Sequence, residues 1–151
     1  MAGYPQLELD RQLCFALYTA SRAVVRAYGP LLEASGLTYP QYITMLVLWE
    51  DPERSRPVGE LGERLHLDSG TLTPLLKRLA ALGYVTRSRD TADERRVLVT
   101  LTPEGLALRD ELSAVPEALL ACLGMPAGDA GALRDRLTAL TASLEATLRI
   151  Q

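Results

Sequence analysis

The stretch that most constrains this chain is VGELGERLHLDSGTLTPLLKRLAALGYV, Val58 to Val85, with the β-prone runs that follow it. Leu61 and Leu65 lie one turn apart and mark a short helix. Leu67, Asp68 and Ser69 form a turn, and Asp68 or Ser69 is placed to cap the next helix. That helix carries Leu72, Leu75, Leu76, Leu79 and Leu82 on one face, and Gly83 ends it. Tyr84 to Arg89 and Val97 to Leu101 then read as two strands, joined by the charged loop Asp90 to Arg96. A pair of short helices is by itself common in all-α proteins. A hairpin directly after the second helix narrows the choice to a helix-turn-helix with a β-hairpin wing.

The flanks read as longer helices. From Leu7 to about Glu33, Leu9, Leu13, Ala16, Leu17, Ala20, Val24 and Ala27 recur at helical spacing, and Gly36 stops the run. Thr38 and Tyr39 precede Pro40, a cap followed by a proline at the first helical position, and Tyr42 to Trp49 is strongly apolar. Asp51 to Pro57 is a charged loop, with a short strand near Arg56 to Val58. Thr102–Pro103–Glu104 opens a helix carrying Leu106, Leu108, Leu112, Leu119 and Leu120, which Pro116 is expected to kink. Gly124 to Asp129 breaks the chain. A last helix then holds Leu133, Leu137, Leu140, Leu144 and Leu148 near heptad spacing.

The expectation is a single domain over 1–151, mainly α with a small β-hairpin wing. Residues 38–102 form the winged helix-turn-helix lobe. Residues 1–35 and 103–151 supply helices whose apolar stripes a monomer would leave exposed. A homodimer formed by the N- and C-terminal helices covers them and carries two reading heads.

Composition excludes several classes. At 151 residues and 48% hydrophobic, the chain can bury a sizeable core. No apolar run is long enough for a membrane span and no secretory signal pattern opens the sequence, so the expected compartment is the cytoplasm. Two cysteines there are expected to rest as thiols. His66 is the only histidine, which leaves little for a zinc centre or a catalytic triad, and no metal or cofactor is expected. The charge is uneven. Residues 54–96 hold nine basic and six acidic residues, +3, leaving −6 elsewhere in a chain of net charge −3. A basic middle in an acidic protein suits contact with double-stranded DNA, although an uneven solvated surface has the same arithmetic.

The second helix of the pair shows Gly70, Thr73, Pro74, Lys77 and Arg78 away from its leucine face. Small polar groups there allow approach to base edges, and Lys77 and Arg78 can reach phosphate or guanine. Ser69 and Thr71 at the helix start are expected to bind phosphate together with free backbone N–H groups. Pro74 forfeits a helix hydrogen bond on the side expected to face DNA. Arg87, Arg89, Arg95 and Arg96 surround the wing loop, where arginine can enter a minor groove, and Asp93 is placed to brace Arg95 through an ion pair. His66 is read as solvent-facing or capping, Tyr42 and Trp49 as core, and Tyr84 as wing or core packing.

Cys14, in LCFALY, lies within an apolar helical stripe, and such a thiol alone is most simply a small core residue. The wider motifs alter that reading. DSGTLTPLLKRL, DERR and LTPEG resemble the MarR family of dimeric winged-helix regulators. LCFALYTASR, Tyr28 and LTYPQY resemble its organic hydroperoxide branch, over roughly Leu9 to Pro116. The resemblance implies a repressor of a palindromic operator in which Cys14 is the peroxide sensor. Tyr28 and Tyr39 would hydrogen-bond its thiolate across the dimer, with Tyr18 adjacent on the same helix. Only a thiolate attacks a peroxide, and phenol hydroxyls aimed at sulfur favour the anion. Phe15, Leu17 and Met45 would give an apolar setting suited to organic hydroperoxides.

The resemblance also implies that Cys122, in LLACLGMP, matches a second cysteine that closes an intersubunit disulfide with the sensor. A buried structural cysteine is the plainer alternative. Three other readings stay open: a repressor responding to a small aromatic ligand bound near the same tyrosines, a thiol peroxidase, and a redox-blind architectural DNA binder. The peroxidase reading lacks the proline, threonine and arginine arrangement such an enzyme needs around Cys14.

Overall fold

The structure is a computed structural model and describes residues 4–149. The chain divides into two compact units, the first ending at Ser113 and the second beginning at Ala114.

In the first unit, the periodicity that predicts one helix from Leu7 resolves differently. Pro5–Leu7 and Leu9–Arg11 are isolated 3-10 turns, and α1 runs Leu13–Leu32. Glu8 and Gln12 are extended, and the Gln12 amide donates to the carbonyls of Gln6 (2.8 Å) and Glu8 (2.9 Å). A side chain that takes backbone acceptors in this way offers the chain an alternative to helix. Gly36 closes the following turn at φ 70°, the left-handed conformation glycine adopts without strain.

Helix α2 (Tyr39–Trp49) begins one residue earlier than expected, so Pro40 is its second residue. The Thr38 N–H donates to Gln41 Oε1 at 2.9 Å and closes the helix start. Gln41, Tyr42, Thr44, Met45, Val47, Leu48 and Trp49 are all buried, which makes α2 the centre of the lobe. Then follow β1 (Arg56–Pro57), α3 (Val58–Leu65), α4 (Ser69–Ala81), β2 (Val85–Arg89), β3 (Val97–Leu101) and α5 (Pro103–Glu111). His66 ends α3 in the left-handed region at φ 54° and is exposed. Leu61, Leu72, Leu76 and Leu79 are fully buried, so the leucine faces read from the sequence do meet. Leu82 falls just past α4 and is half-buried.

The sheet is antiparallel in the order β1-β3-β2. Val99 is fully buried and pairs with Arg56 on one side and Arg87 on the other. Tyr84 lies just outside β2, and its hydroxyl donates to Ser35 O at 2.9 Å. Winged-helix architecture is therefore present as expected.

The second unit corrects the kink assigned to Pro116. Helix α5 has already ended at Glu111, and a new helix, α6 (Val115–Leu123), carries Pro116 in its first turn. A proline ring collides with the carbonyl four residues before it. The chain stops the helix and places the proline where no N–H is needed. Cys122 thus lies in α6. The break after it is short, since α7 spans Ala127–Arg149. Leu133, Leu137, Leu144 and Leu148 on α7 are exposed, as are Leu7, Leu9 and Leu13 at the start of the first unit. No helix among the described residues is long and apolar enough to cross a membrane.

Candidate nucleic-acid interface and thiol site

Ser69, Thr71, Pro74, Lys77 and Arg78 are exposed along α4, and Thr73 is half-buried. Asp68 caps the helix: its Oδ1 accepts from Thr71 N at 2.9 Å and its Oδ2 from the Thr71 hydroxyl at 3.1 Å. Those bonds hold the Asp68 carboxyl below its ordinary pKa. The cap therefore engages both the N–H and the hydroxyl of Thr71, one of the two residues expected to meet phosphate at this helix start. Any phosphate approaching this helix start meets a carboxylate.

The wing loop is organised from inside. Asp90 N donates to Arg96 O (2.9 Å), Arg96 N to Asp93 O (2.8 Å) and Ala92 N to Asp90 Oδ1 (2.9 Å). Asp93 Oδ1 accepts from Arg95 N at 3.1 Å, while the Arg95 guanidinium lies farther off at 3.7 Å. The backbone bond is the better brace, since the Arg95 side chain is 95% exposed and an ion pair in water is weak. Arg89 donates to Glu94 O at 3.3 Å and Arg96 lies 3.7 Å from Asp90. Arg87 is half-buried, and its Nε has no hydrogen-bond partner among the described residues. An open cleft of about 620 Å³ separates the wing from α3, with Arg87, Arg95 and Arg96 on one side and Glu60 and Glu63 on the other.

The sequence left the other arginines of the basic middle undivided. Arg56 is 8% exposed and bonds Glu60 at 2.8 Å, with Glu50 at 3.7 Å. Arg54 grips Glu60 through two bonds (3.0 and 2.7 Å), and Arg64 pairs with Glu50 at 3.0 Å. This network ties the end of α2 to β1 and α3. Three of the nine basic residues counted in the middle of the chain are thus committed to internal carboxylates. Lys77, Arg78 and the wing arginines lie outside that network, with Arg87 half-buried and Arg96 beside Asp90.

Cys14 is exposed in the first turn of α1, and Cys122 is exposed on α6; both are free thiols. Tyr18, one turn after Cys14, is 56% exposed, and its hydroxyl accepts an N–H from Arg22. Tyr28 and Tyr39 meet with ring centroids 4.6 Å apart, and Tyr42 joins Tyr28 at 5.6 Å. The sequence placed Tyr42 in the core alone; it is both buried and part of this cluster. Burial, and then the neighbouring Tyr39 and Tyr42, push the Tyr28 hydroxyl up to about 12. Burial raises Tyr39 and Tyr42 as well. All three phenols therefore keep their protons at neutral pH and remain donors. The apolar setting expected around Cys14 is only partly present: Leu17 is half-buried, Phe15 is at the surface, and Met45 is fully buried in the lobe core.

Tyr28 lies fourteen residues after Cys14 on the same proline-free stretch of α1. At the helical rise that is about 21 Å, so Tyr28 cannot hydrogen-bond the thiol of its own chain. Among the described residues no group of three or more His, Cys, Asp or Glu is placed to hold a metal ion.

Residues 26–112 match the family model described as transcriptional regulator SarA/Rot. The chain belongs to the SarA/Rot family of transcriptional regulators. It is 49% identical to the HTH-type transcriptional regulator TtmR of Methylorubrum extorquens over 91% of this chain and 70% of that protein. It is 40% identical to the organic hydroperoxide resistance transcriptional regulator of Bacillus subtilis over 93% of this chain and 95% of that one. Among solved structures, reduced AbfR bound to DNA superposes with a TM-score of 0.75 at 34% identity, covering 92% of this chain and 96% of that one. AbfR, from Staphylococcus epidermidis, also matches in its disulfide-formed state, with a TM-score of 0.63 at 36% identity over 90% and 94%. The chain is accordingly a winged-helix transcriptional regulator of the organic hydroperoxide and MarR type.

Proposed function

We propose that this regulator is a thiol-based repressor that holds a palindromic operator while reduced and releases it when an organic hydroperoxide oxidises Cys14. The observation that carries the reading is the separation of Cys14 from the Tyr28–Tyr39 pair. Two protonated phenols pack together at a distance their own thiol cannot cross, as a symmetric dimer requires if each pair serves the other chain's sulfur. Exposed leucines on α7 and before α1 supply apolar surface for that homodimer. The relative from Bacillus subtilis, named for organic hydroperoxide resistance, supports the oxidant class. The disulfide-formed state of AbfR supports a redox response.

The chemistry runs as follows. The Cys14 thiolate attacks the terminal peroxide oxygen, the O–O bond breaks, and the leaving alkoxide takes a proton to become an alcohol. Sulfur loses two electrons and becomes a sulfenic acid. The Cys122 thiol of the other subunit then displaces hydroxide, which leaves as water, and a Cys14–Cys122 disulfide forms. Closing that bond requires sulfurs at bonding distance, so the helices bearing them move and the spacing of the two reading heads changes. On the DNA side, Ser69, Thr73, Lys77 and Arg78 line α4, Thr71 holds the cap, and Arg87, Arg89, Arg95 and Arg96 form the wing contact that Asp93 braces. A sensor whose two cysteines rest as thiols suits the reducing cytoplasm.

The test is binding of the purified protein to DNA upstream of its own gene, with and without cumene hydroperoxide. Wild type should release DNA and recover with dithiothreitol. Cys14→Ser should stay bound, and Cys122→Ser should lose the cross-linked dimer on a non-reducing gel. Peroxide-independent binding by wild type would remove Cys14 from the sensing role.

A further inference from the structure

Trp49 is the only tryptophan in the chain and the last residue of α2. Its side chain is buried, and its indole N–H donates to Gly105 O at 2.8 Å, across 56 residues of sequence. An indole nitrogen is a donor only, and a buried donor that loses its acceptor carries a penalty, so this bond holds the two segments together.

The segment it holds is the root of the wing. Thr102 N donates to Tyr84 O (3.1 Å) and the Thr102 hydroxyl to Gly83 O (2.6 Å), joining the start of β2 to the end of β3. Gly105 N donates to Thr102 Oγ1 at 3.0 Å, adding the first turn of α5 to the same knot. Tyr84 O lies so near Gly105 that an added Cβ would be 2.0 Å away. Both ends of the hairpin and the start of α5 therefore move as one body.

At its other side Trp49 meets the tyrosines. Tyr42 packs edge-on against it with centroids 6.5 Å apart, and Tyr28 and Tyr39 continue the column at 5.6 and 4.6 Å. Four of the eight aromatic residues of the chain lie in this one series. Tyr42 and Trp49 are seven residues apart on α2 and share a face, with Tyr39 one turn before Tyr42. Interiors packed at crystal-like density pass a displacement to the next contact.

We infer that Trp49 is a positioning residue that couples the Tyr28–Tyr39 pair to the wing. When the tyrosines change partner on oxidation of the thiol, α2 shifts, and the indole hydrogen bond carries the shift to the knot at Gly105. This rests on the sensor reading of Cys14 and adds the element through which that reading reaches DNA.

The experiment compares full-length wild type, Trp49→Phe and Tyr84→Phe, each reduced and oxidised with cumene hydroperoxide, on DNA upstream of the gene. Trp49→Phe keeps a ring and removes the N–H. The ratio of oxidised to reduced Kd is expected to fall about fivefold in Trp49→Phe, the factor a single hydrogen bond commonly supplies. Its rate of Cys14 oxidation should stay within about twofold of wild type, because the thiol and the Tyr28–Tyr39 pair keep their own contacts. Tyr84→Phe cuts a different tether of the same knot and should keep the wild-type ratio. An unchanged ratio in Trp49→Phe, or an equal loss in Tyr84→Phe, overturns the assignment. A wild type that never releases DNA instead sinks the sensor reading, and the inference with it. Should Trp49→Phe fail to fold, wild type carrying 5-fluorotryptophan gives the answer by fluorine NMR. Its single resonance should shift on oxidation and stay fixed in Cys14→Ser, and a resonance unmoved in wild type refutes the coupling.

Discussion

Replacing Gly105 with alanine tests how tightly the wing root is knotted. The new methyl carbon would sit 2.0 Å from the Tyr84 carbonyl oxygen and 2.9 Å from its carbon. Real Cβ contacts essentially never fall below 3.0 Å, so the junction opens by at least 1 Å. The obstacle is backbone on both sides, and no side chain can swing aside. Opening it strains the Thr102 N to Tyr84 O bond and draws Gly105 O away from Trp49 Nε1. Forcing a methyl group into closed packing costs about 1–3 kcal/mol. Two weakened hydrogen bonds at about 1 kcal/mol each add about 2 more. The expected loss is therefore about 3–5 kcal/mol, a large part of the roughly 5–15 kcal/mol that holds a domain folded. Urea unfolding followed by circular dichroism, at one fixed protein concentration, reads this directly. Gly59→Ala is the control, because nothing lies within 4 Å of its added Cβ and α3 gains a better helix former. If Gly105→Ala unfolds within about 0.5 kcal/mol of wild type, as a neutral surface change does, the knot is not what holds the wing.

Two further outcomes follow from the same geometry. Arg95→Ala at the wing tip should weaken DNA binding and reduce the slope of log K against log salt by about 1, the loss of one phosphate contact; an unchanged slope removes Arg95 from the interface. The tyrosine cluster makes stability fall at high pH. Tyr28 is raised from 10.0 to about 12, so its contribution is complete below pH 10 and is lost as pH climbs from there through about 12. Alkaline unfolding followed by tyrosinate absorbance should show a cooperative step in that window. Free titration near pH 10 would show that the rings are not buried together.

The lobe was legible because its signals are local. Leucines at helical spacing, Asp68 before Ser69, Thr102 before Pro103 and Gly83 after α4 each act within one turn, and the structure places elements where they point. Departures arose where two local signals competed. Apolar spacing from Leu7 suggested helix, yet Pro5, extended Glu8 and the Gln12 amide divide that segment into single turns. Leucines on both sides of Pro116 suggested one bent helix, yet the proline ring made two.

The sequence by itself determined which segments become helix, turn and hairpin, and it placed Cys14 and Tyr28 too far apart on one helix to meet within a chain. Those are matters of rise per residue, capping and ring geometry, which neighbours in the chain decide. Tertiary structure alone decided which arginines pair with the carboxylates of the α2, β1 and α3 network. Arg54, Arg56 and Arg64 read like their basic neighbours until folding set Glu50 and Glu60 beside them. It alone gathered Tyr28, Tyr39, Tyr42 and Trp49 into a column and brought Gly105 beneath the indole. Charge pairing, ring packing and a hydrogen bond spanning 56 residues depend on distance in space, and no local pattern encodes that distance until the leucine faces of α3 and α4 have closed on α2.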